Sequence, residues 1–243
     1  MERIKSLQNA KVKNLVRLHQ KKYRDETGLF LVEGEHLILE ARQAGILQYV
    51  ITDEEECPYD NILLVTSEIM KKISANVSAV HYIGVCTKCK IAVKEPERVI
   101  LLDDVQDPGN LGTLIRTAVS FSFDAIYCSK HTVDVYNEKV IRSTQGALFY
   151  IPVIYSDLIQ TIAALKQDGF TIVGTSLHEA SAMRTFQNEE KMAFVLGNEG
   201  QGVSEQILSL CDKKLFIEMQ GFESLNVAVA GGIVMYAFQP HHE

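Results

Sequence analysis

The stretch FVLGNEGQG, residues 194–202, carries an apolar run into a turn that holds three glycines and an Asn-Glu pair. Open α/β sheets bind ligands at the carboxyl ends of their strands, and a glycine turn there often holds a nucleotide. Gly197, Gly200 and Gly202 are spaced G-x-x-G-x-G, the reverse of the dinucleotide fingerprint, and they lie late in the chain. A phosphate loop of the form G-x-x-x-x-G-K-[ST] is absent from the sequence, so both common nucleotide loops fail on spacing. A connection that merely needs positive φ is one reading of such a turn. Glu199 favours the other, because a carboxylate in a tight turn at a strand's end is placed to meet a ligand.

Working outward, VILLDD (99–104) reads as a buried strand and PGNLGTLIRTAVSF (108–121) as a loop running into a helix. FDAIYCS, FTIVGTS, MAFVLGN and KKLFIEM read as further strands. NEKVIRSTQ, YSDLIQTIAALKQDG, VSEQILSLC and ESLNVAVAGGIVMYAF read as helices. Strands separated by helices imply a parallel sheet covered on both faces. Three loops then stand at carboxyl ends of strands: 103–116, 197–202 and 218–228. In the first, Arg116 follows Gly112 by four residues, so the two share a helix face, near a helix N-terminus that favours anions. In the third, Ser224 and Asn226 precede an apolar helix, and Ser224 is a candidate N-cap.

Ahead of this region, LFLVEG, LQYVITD, NILLVTS and AVHYIGVC read as strands, GEHLILEARQAG as a helix closed by Gly45, and SEIMKKIS as a helix capped by Ser67. Residues 8–24 read as one amphipathic helix on Val12, Leu15, Val16 and Leu18. The charged AVKEPER (92–98) is the linker candidate, giving a small domain over 1–94 and a larger one over 95–243.

The 243 residues carry a net charge of −7, but the first 24 hold eight basic residues against the single acid Glu2. That local balance of +7 leaves −14 on the remainder. A basic end on an acidic chain fits either a phosphate-binding footprint or a solvated helix face. No apolar run reaches about 18 residues and the N-terminus lacks an apolar segment, so neither a membrane span nor a secretory signal is expected. The five cysteines fit free thiols of a cytoplasmic protein. Cys86-x-x-Cys89 supplies two ligands where structural zinc needs four, so no metal is expected, and His241–His242 reads as a frayed terminus. Hydrolase signatures such as G-x-S-x-G and H-E-x-x-H are absent.

Taken together, the three loops resemble the ordered motifs of the SpoU/TrmH family of SPOUT-class RNA methyltransferases. DDVQDPGNLGTLIRTAVSF resembles the first motif, FVLGNEGQGVS the second and IEMQGFESLNVAVAGG the third, and VIRSTQGALFYIP (140–152) matches a stretch between them. LFLVEGEHLILEA (29–41) resembles, more loosely, the ribosomal-protein-like domain that many members use to hold RNA.

The resemblance implies an α/β fold whose C-terminal segment forms a trefoil knot, a rare exception to unknotted connectivity. It implies a homodimer that binds S-adenosyl-L-methionine and methylates a ribose 2′-hydroxyl, with ribosomal RNA favoured over tRNA. By motif position, Asn110, Arg116, Glu199, Ser224 and Asn226 fall on active-site residues. Thr175, Leu196, Gly197, Asn198, Gly200, Ile217, Met219, Ser224 and Leu225 fall on cofactor positions. Guanidinium groups hold their protons, so Arg116 is read as an electrostatic clamp, with Glu199 positioning it or a substrate hydroxyl. The chain departs from the family pattern at Glu218, Ala228 and Ser122, where proline, serine and glycine are common.

Overall fold

The computed structural model describes residues 2–76, 78–88, 90–220 and 224–240. Its contacts cluster into two compact units, Met1–Lys90 with Tyr136–Tyr150, and Ile91–Val135 with Ile151–Glu243. Residues 136–150, placed by sequence in the larger domain, therefore pack in the first unit. Phe30 is the reason: its ring lies 4.9 Å from Tyr136 and 6.1 Å from Phe149, centroid to centroid. Tyr150 adds a hydrogen bond from Oη to Glu40 Oε2 at 2.9 Å.

The first unit runs β1 (Glu2–Ile4), α1 (Ala10–Arg17), α2 (Lys21–Thr27), β2 (Leu29–Glu33), α3 (Glu35–Gln43), β3 (Leu47–Thr52), β4 (Ile62–Val65), α4 (Ser67–Ile73) and β5 (Tyr82–Thr87). The sheet order is β1-β4-β3-β5-β2, with β5 antiparallel to both its neighbours. The single helix expected over 8–24 is broken at Leu18. That residue caps α1, and buried Arg24 donates from Nη1 to its carbonyl at 2.7 Å. Helix α4 is capped by Thr66, not Ser67: the Thr66 hydroxyl accepts from the Ile69 amide, and Ser67 is already helical. Gly45 follows α3 with φ +70°. Cys86 is buried in β5. Cys89 and His241–His242 lie outside the described residues.

The rest of the chain supplies β6 (Arg98–Leu102), α5 (Pro108–Ser120), β7 (Ala125–Cys128), α6 (Glu138–Thr144, packed in the first unit), β8 (Val153–Tyr155), α7 (Leu158–Gln167), β9 (Thr171–Thr175), β10 (Ser181–Ala182), β11 (Met192–Leu196), α8 (Glu205–Leu208), β12 (Lys213–Phe216) and α9 (Val227–Ala237). Seven strands pair in the order β10-β12-β9-β11-β6-β7-β8, each pair parallel. Every residue of β6 and β11 is buried, as a sheet covered on both faces demands. Val99, Leu101, Ala193 and Val195 share a core with Leu158 and Ile162 of α7 and Ile207 of α8. On the opposite face, the Phe194 ring stacks 4.9 Å from Phe238, just past α9.

Two sequence expectations shift here. The segment 155–169 is not all helix: Tyr155 ends the edge strand β8, and Asp157 caps α7 by accepting from the Ile159 and Gln160 amides. Strand β12 stops at Phe216, leaving Ile217–Met219 in the following loop. Helix α5 begins as an Asp107 cap followed by Pro108, a residue whose missing N–H costs nothing at that position. Helix α9 lies close on α5 because Gly231 has no side chain. A Cβ there would stand 2.3 Å from Leu114 Cδ2 and 2.8 Å from Leu196 Cδ1. The far end of α9 is held by buried Arg98, whose Nε donates to Phe238 O at 2.9 Å and whose other nitrogens reach Glu97 O, Asn188 Oδ1, Glu189 O and Glu190 O.

Candidate active site

Three loops converge at the carboxyl ends of the second unit's central strands. The Asp103 amide donates to Leu196 O at 2.9 Å, extending the pairing of β6 and β11 past their last residues. Beyond it, Glu199 turns back over the start of α5. Its Oε1 accepts from the Asp107 amide at 2.9 Å and from Asn110 Nδ2 at 3.0 Å, and its Oε2 accepts from the Gln106 amide at 3.1 Å. Asn110, itself buried, accepts at Oδ1 from Asn226 Nδ2 at 2.9 Å. Asn226 in turn caps α9, accepting from the Ala228 and Val229 amides. One unbroken chain of hydrogen bonds thus joins loops after β6, β11 and β12. Burial works to raise the Glu199 carboxyl, but the hydrogen bonds from Asn110 and the Asp107 and Gln106 amides outweigh it and hold it below its ordinary value.

Of the two roles the resemblance implies for Glu199, positioning Arg116 or a substrate hydroxyl, no hydrogen bond or ion pair to Arg116 is formed among the described residues; three donors at the mouth of α5 hold the carboxylate. The reason is reach: the turn delivers the carboxylate to the amides opening α5, and Arg116 lies further along that helix. Arg116 is exposed while Gly112, four residues earlier, is buried. Among the described residues, its guanidinium makes no hydrogen bond or ion pair.

The turn is built from its own atoms. Asn198 and Gly202 exchange backbone hydrogen bonds at 3.0 and 2.9 Å. Asn198 Oδ1 accepts from the Gly200 and Gln201 amides, and its Nδ2 donates to Asp104 O at 2.8 Å. The Asn198 side chain is thus occupied inside the loop. Gly197 is required by the same construction, since a Cβ there would stand 2.0 Å from Gly202 C and 2.1 Å from Val203 N. Gly200 differs: a Cβ would meet only Asn198 Oδ1, at 3.6 Å.

The remaining candidates divide. Thr175, Leu196 and Ile217 stand at or just past the ends of β9, β11 and β12, which are neighbours in the sheet. Ile217 and Met219 are half-buried, and Leu225 is exposed. The Thr175 hydroxyl donates to Val195 O at 2.9 Å, so it braces the strands. Ser224 does not cap α9; Asn226 does, because its side chain stands next to the first helical residue. Gly221, Phe222 and Glu223 of the third motif lie outside the described residues. Of the departures, Ser122 adopts φ +56°, the left-handed conformation that suits glycine. Glu218 Oε1 lies 3.0 Å from Arg184 Nε, and buried Ala228 donates its amide to Asn226.

Residues not singled out from sequence brace the site from beneath. Asp104 has φ +60°, and its amide donates to Ser129 Oγ at 2.9 Å while Ser129 Oγ donates to Asp104 Oδ1 at 2.5 Å. Thr132 sits 3.0 Å from the same hydroxyl and donates to Leu102 O. Asp103 Oδ2 accepts from the Ser204 amide at 2.8 Å. The available signal was topological: Ser129 follows β7, the neighbour of β6 in the sheet.

Comparison with known proteins places this arrangement. The profile of the SpoU rRNA Methylase family matches residues 97–236, and that of the MRM3-like substrate binding domain matches residues 9–83. The 23S rRNA (guanosine(2553)-2′-O)-methyltransferase RlmP of Bacillus subtilis is 36% identical over 97% of this chain and 98% of its own. An AdoMet-bound rRNA methyltransferase from Sinorhizobium meliloti superimposes with a TM-score of 0.87 at 28% identity, over 97% of this chain and 96% of the other. The SpoU methyltransferase AviRb from Streptomyces viridochromogenes, at 24% identity and a TM-score of 0.84 over 95% and 97% of the two chains, shares the fold. The chain belongs to the SpoU RNA methylase family.

Proposed function

We propose that this protein transfers a methyl group from S-adenosylmethionine to a ribose 2′-hydroxyl of 23S ribosomal RNA. The observation that carries the reading is the Asn226–Asn110–Glu199 chain, which joins three loops at one end of the sheet. An adenosyl group suits that end: neighbouring strands present backbone groups together with apolar Leu196, Ile217 and Met219. These residues, with Thr175, Gly197, Asn198, Gly200, Ser224 and Leu225, would hold it. When bound, it supplies an electrophilic methyl group.

The chain's own residues orient and stabilise. Glu199, ionised and held by three donors, fixes the turn against α5 and keeps Asn110 in place. Asn110 and Asn226 orient the loops between which the ribose lies. Exposed Arg116 would clamp an RNA phosphate and stabilise the negative charge that builds on the ribose 2′-oxygen as that oxygen gives up its proton to water.

The finer reading includes a trefoil knot in the C-terminal segment. It also includes a homodimer. Val229, Ile233 and Tyr236 form one stripe on α9 and remain 52% (Val229) and 64% (Tyr236) exposed at its ends; a second copy would cover it. The domain limits 1–94 and 95–243, with residues 136–150 of the latter packed in the first unit, and a cytoplasmic setting complete the proposal; no helix among the described residues is long and apolar enough to cross a membrane.

The test combines calorimetry with S-adenosylmethionine and methyl transfer to transcribed 23S rRNA and to tRNA. Binding, with ribose methylation of the 23S rRNA alone, is expected. Failure to bind S-adenosylmethionine would sink the reading, and transfer to tRNA alone would replace the substrate. Arg116→Ala should abolish transfer while leaving cofactor affinity within several-fold; sedimentation of Tyr236→Asp should show a monomer.

A further inference from the structure

Strands β10 and β12 run parallel, with Ser181 opposite Leu215 and Ala182 opposite Phe216. Both strands stop there, and the residues that follow keep the same register. Two positions on, Arg184 meets Glu218, with Nε 3.0 Å from Oε1. Arg184 lies in a single turn of 3₁₀ helix, Met183–Thr185. Glu218 lies in an irregular stretch between half-buried Ile217 and Met219, two of the residues that would hold the cofactor.

The segment that carries Arg184 is fastened on both sides of it. Before the turn, the Ser176 amide donates to Leu215 O at 3.0 Å, and Lys214 Nζ lies 3.3 Å from Glu179 Oε2. At the turn, the Phe186 amide donates to Met183 O and the Thr185 hydroxyl to Ala182 O. After it, the Phe186 ring stands edge-on to Phe238 at 6.4 Å, and buried Arg98 holds Asn188, Glu189 and Glu190. Glu179 and Glu189 are engaged by Lys214 and Lys213, which leaves the Arg184 guanidinium to Glu218.

We propose that Arg184 is a positioning residue of the cofactor site: through Glu218 it holds Ile217 and Met219 in the arrangement that receives the adenosyl group. The proposal rests on the reading of the protein as an S-adenosylmethionine-dependent methyltransferase and adds a residue that lies in none of the three converging loops. An irregular stretch must be ordered when a ligand binds against it, and that ordering opposes binding. A tether from a fastened segment removes part of the cost beforehand. The Arg184 side chain is 81% exposed and that of Glu218 31%, so the pair contributes little to folding. A cofactor covering the loop displaces water beside Glu218 and strengthens the attraction, so pairing and binding reinforce each other.

The experiment measures S-adenosylmethionine affinity by calorimetry on the full chain. Its variants are Arg184→Gln, Glu218→Gln, both together, and the exchanged pair Arg184→Glu with Glu218→Arg. Each single variant should bind the cofactor roughly two- to fivefold more weakly at low salt, the range of one exposed ion pair. The double variant should lose no more than either single one, because both break the same contact, and the exchanged pair should regain most of the affinity. In about 1 M salt, where the screening length falls to about 3 Å, the gap to wild type should narrow. Melting temperatures should stay close to wild type, and methyl transfer should show a raised KM for S-adenosylmethionine with kcat held. Full affinity in Arg184→Gln, losses that add in the double variant, or an exchanged pair no better than the double variant would each overturn the proposal. A wild-type protein that bound no S-adenosylmethionine would overturn the functional reading, and this role with it.

Discussion

Asn226 Nδ2 donates to Asn110 Oδ1 at 2.9 Å across 116 positions of sequence. Asn110 lies in the first turn of α5, after β6, and Asn226 follows β12, a strand not adjacent to β6; the same Asn226 also caps α9. One side chain therefore holds both a helix start and the link to the rest of the site, and substitution can separate these roles.

Asn226→Ala removes both. It should cost about 1 kcal/mol of stability through the lost cap and also abolish methyl transfer. Asn226→Asp keeps an acceptor for the Ala228 and Val229 amides but has no donor for Asn110. Thermal melts should show Asp close to wild type, while single-turnover assays show Asp as inactive as Ala. Equal activity in Asp and wild type would mean that the Asn226–Asn110 bond is not needed.

Glu199 sets a pH dependence whose sign follows from its hydrogen bonds. Its carboxyl lies below the ordinary value of 4.5 in the folded protein. A depressed carboxyl stabilises fully above its unfolded value, and that contribution fades as pH falls through the folded value. Urea midpoints of the wild type should therefore drop below about pH 4.5. The gap between wild type and Glu199→Gln should be constant from pH 6 to 8 and narrow under acid. A gap that widened on acidification would refute this account.

Gly197 and Gly200 should respond oppositely to alanine. At Gly197 the new methyl would meet the backbone of Gly202 and Val203, so the turn must open, and both melting temperature and cofactor affinity should fall. At Gly200 the nearest atom is 3.6 Å away, so the melting temperature should hold. Any loss of cofactor affinity in Gly200→Ala would then report contact with the ligand itself.

Ser129→Ala removes the hydroxyl that both accepts from and donates to Asp104. Asp104 then loses what offsets its left-handed backbone, and its carbonyl no longer fixes Asn198. Leaving such groups unpaired costs about 1–3 kcal/mol. Cofactor affinity should weaken in parallel, measured by calorimetry, although Ser129 belongs to no motif. Wild-type affinity in this variant would separate Asp104 from the turn.

The sequence by itself determined the parallel sheet, because alternating apolar runs and amphipathic stretches allow few other arrangements. It also placed three chemistry-bearing loops at strand ends, and the family resemblance named Asn110, Glu199 and Asn226 among them. Only the tertiary structure decided how these residues pair. Glu199 meets Asn110 and two amides, and Arg116 is left to the solvent, because hydrogen-bond partners 89 or more positions apart are chosen by strand order and helix placement. The same holds for residues 136–150, which local pattern assigns to one domain and packing against Phe30 to the other. Charge followed this division too. The excess of basic residues in the first 24 was legible at once, but which cations hold the fold and which face outward depended on Glu2, Glu55 and Leu18, acceptors that only folding brings within reach.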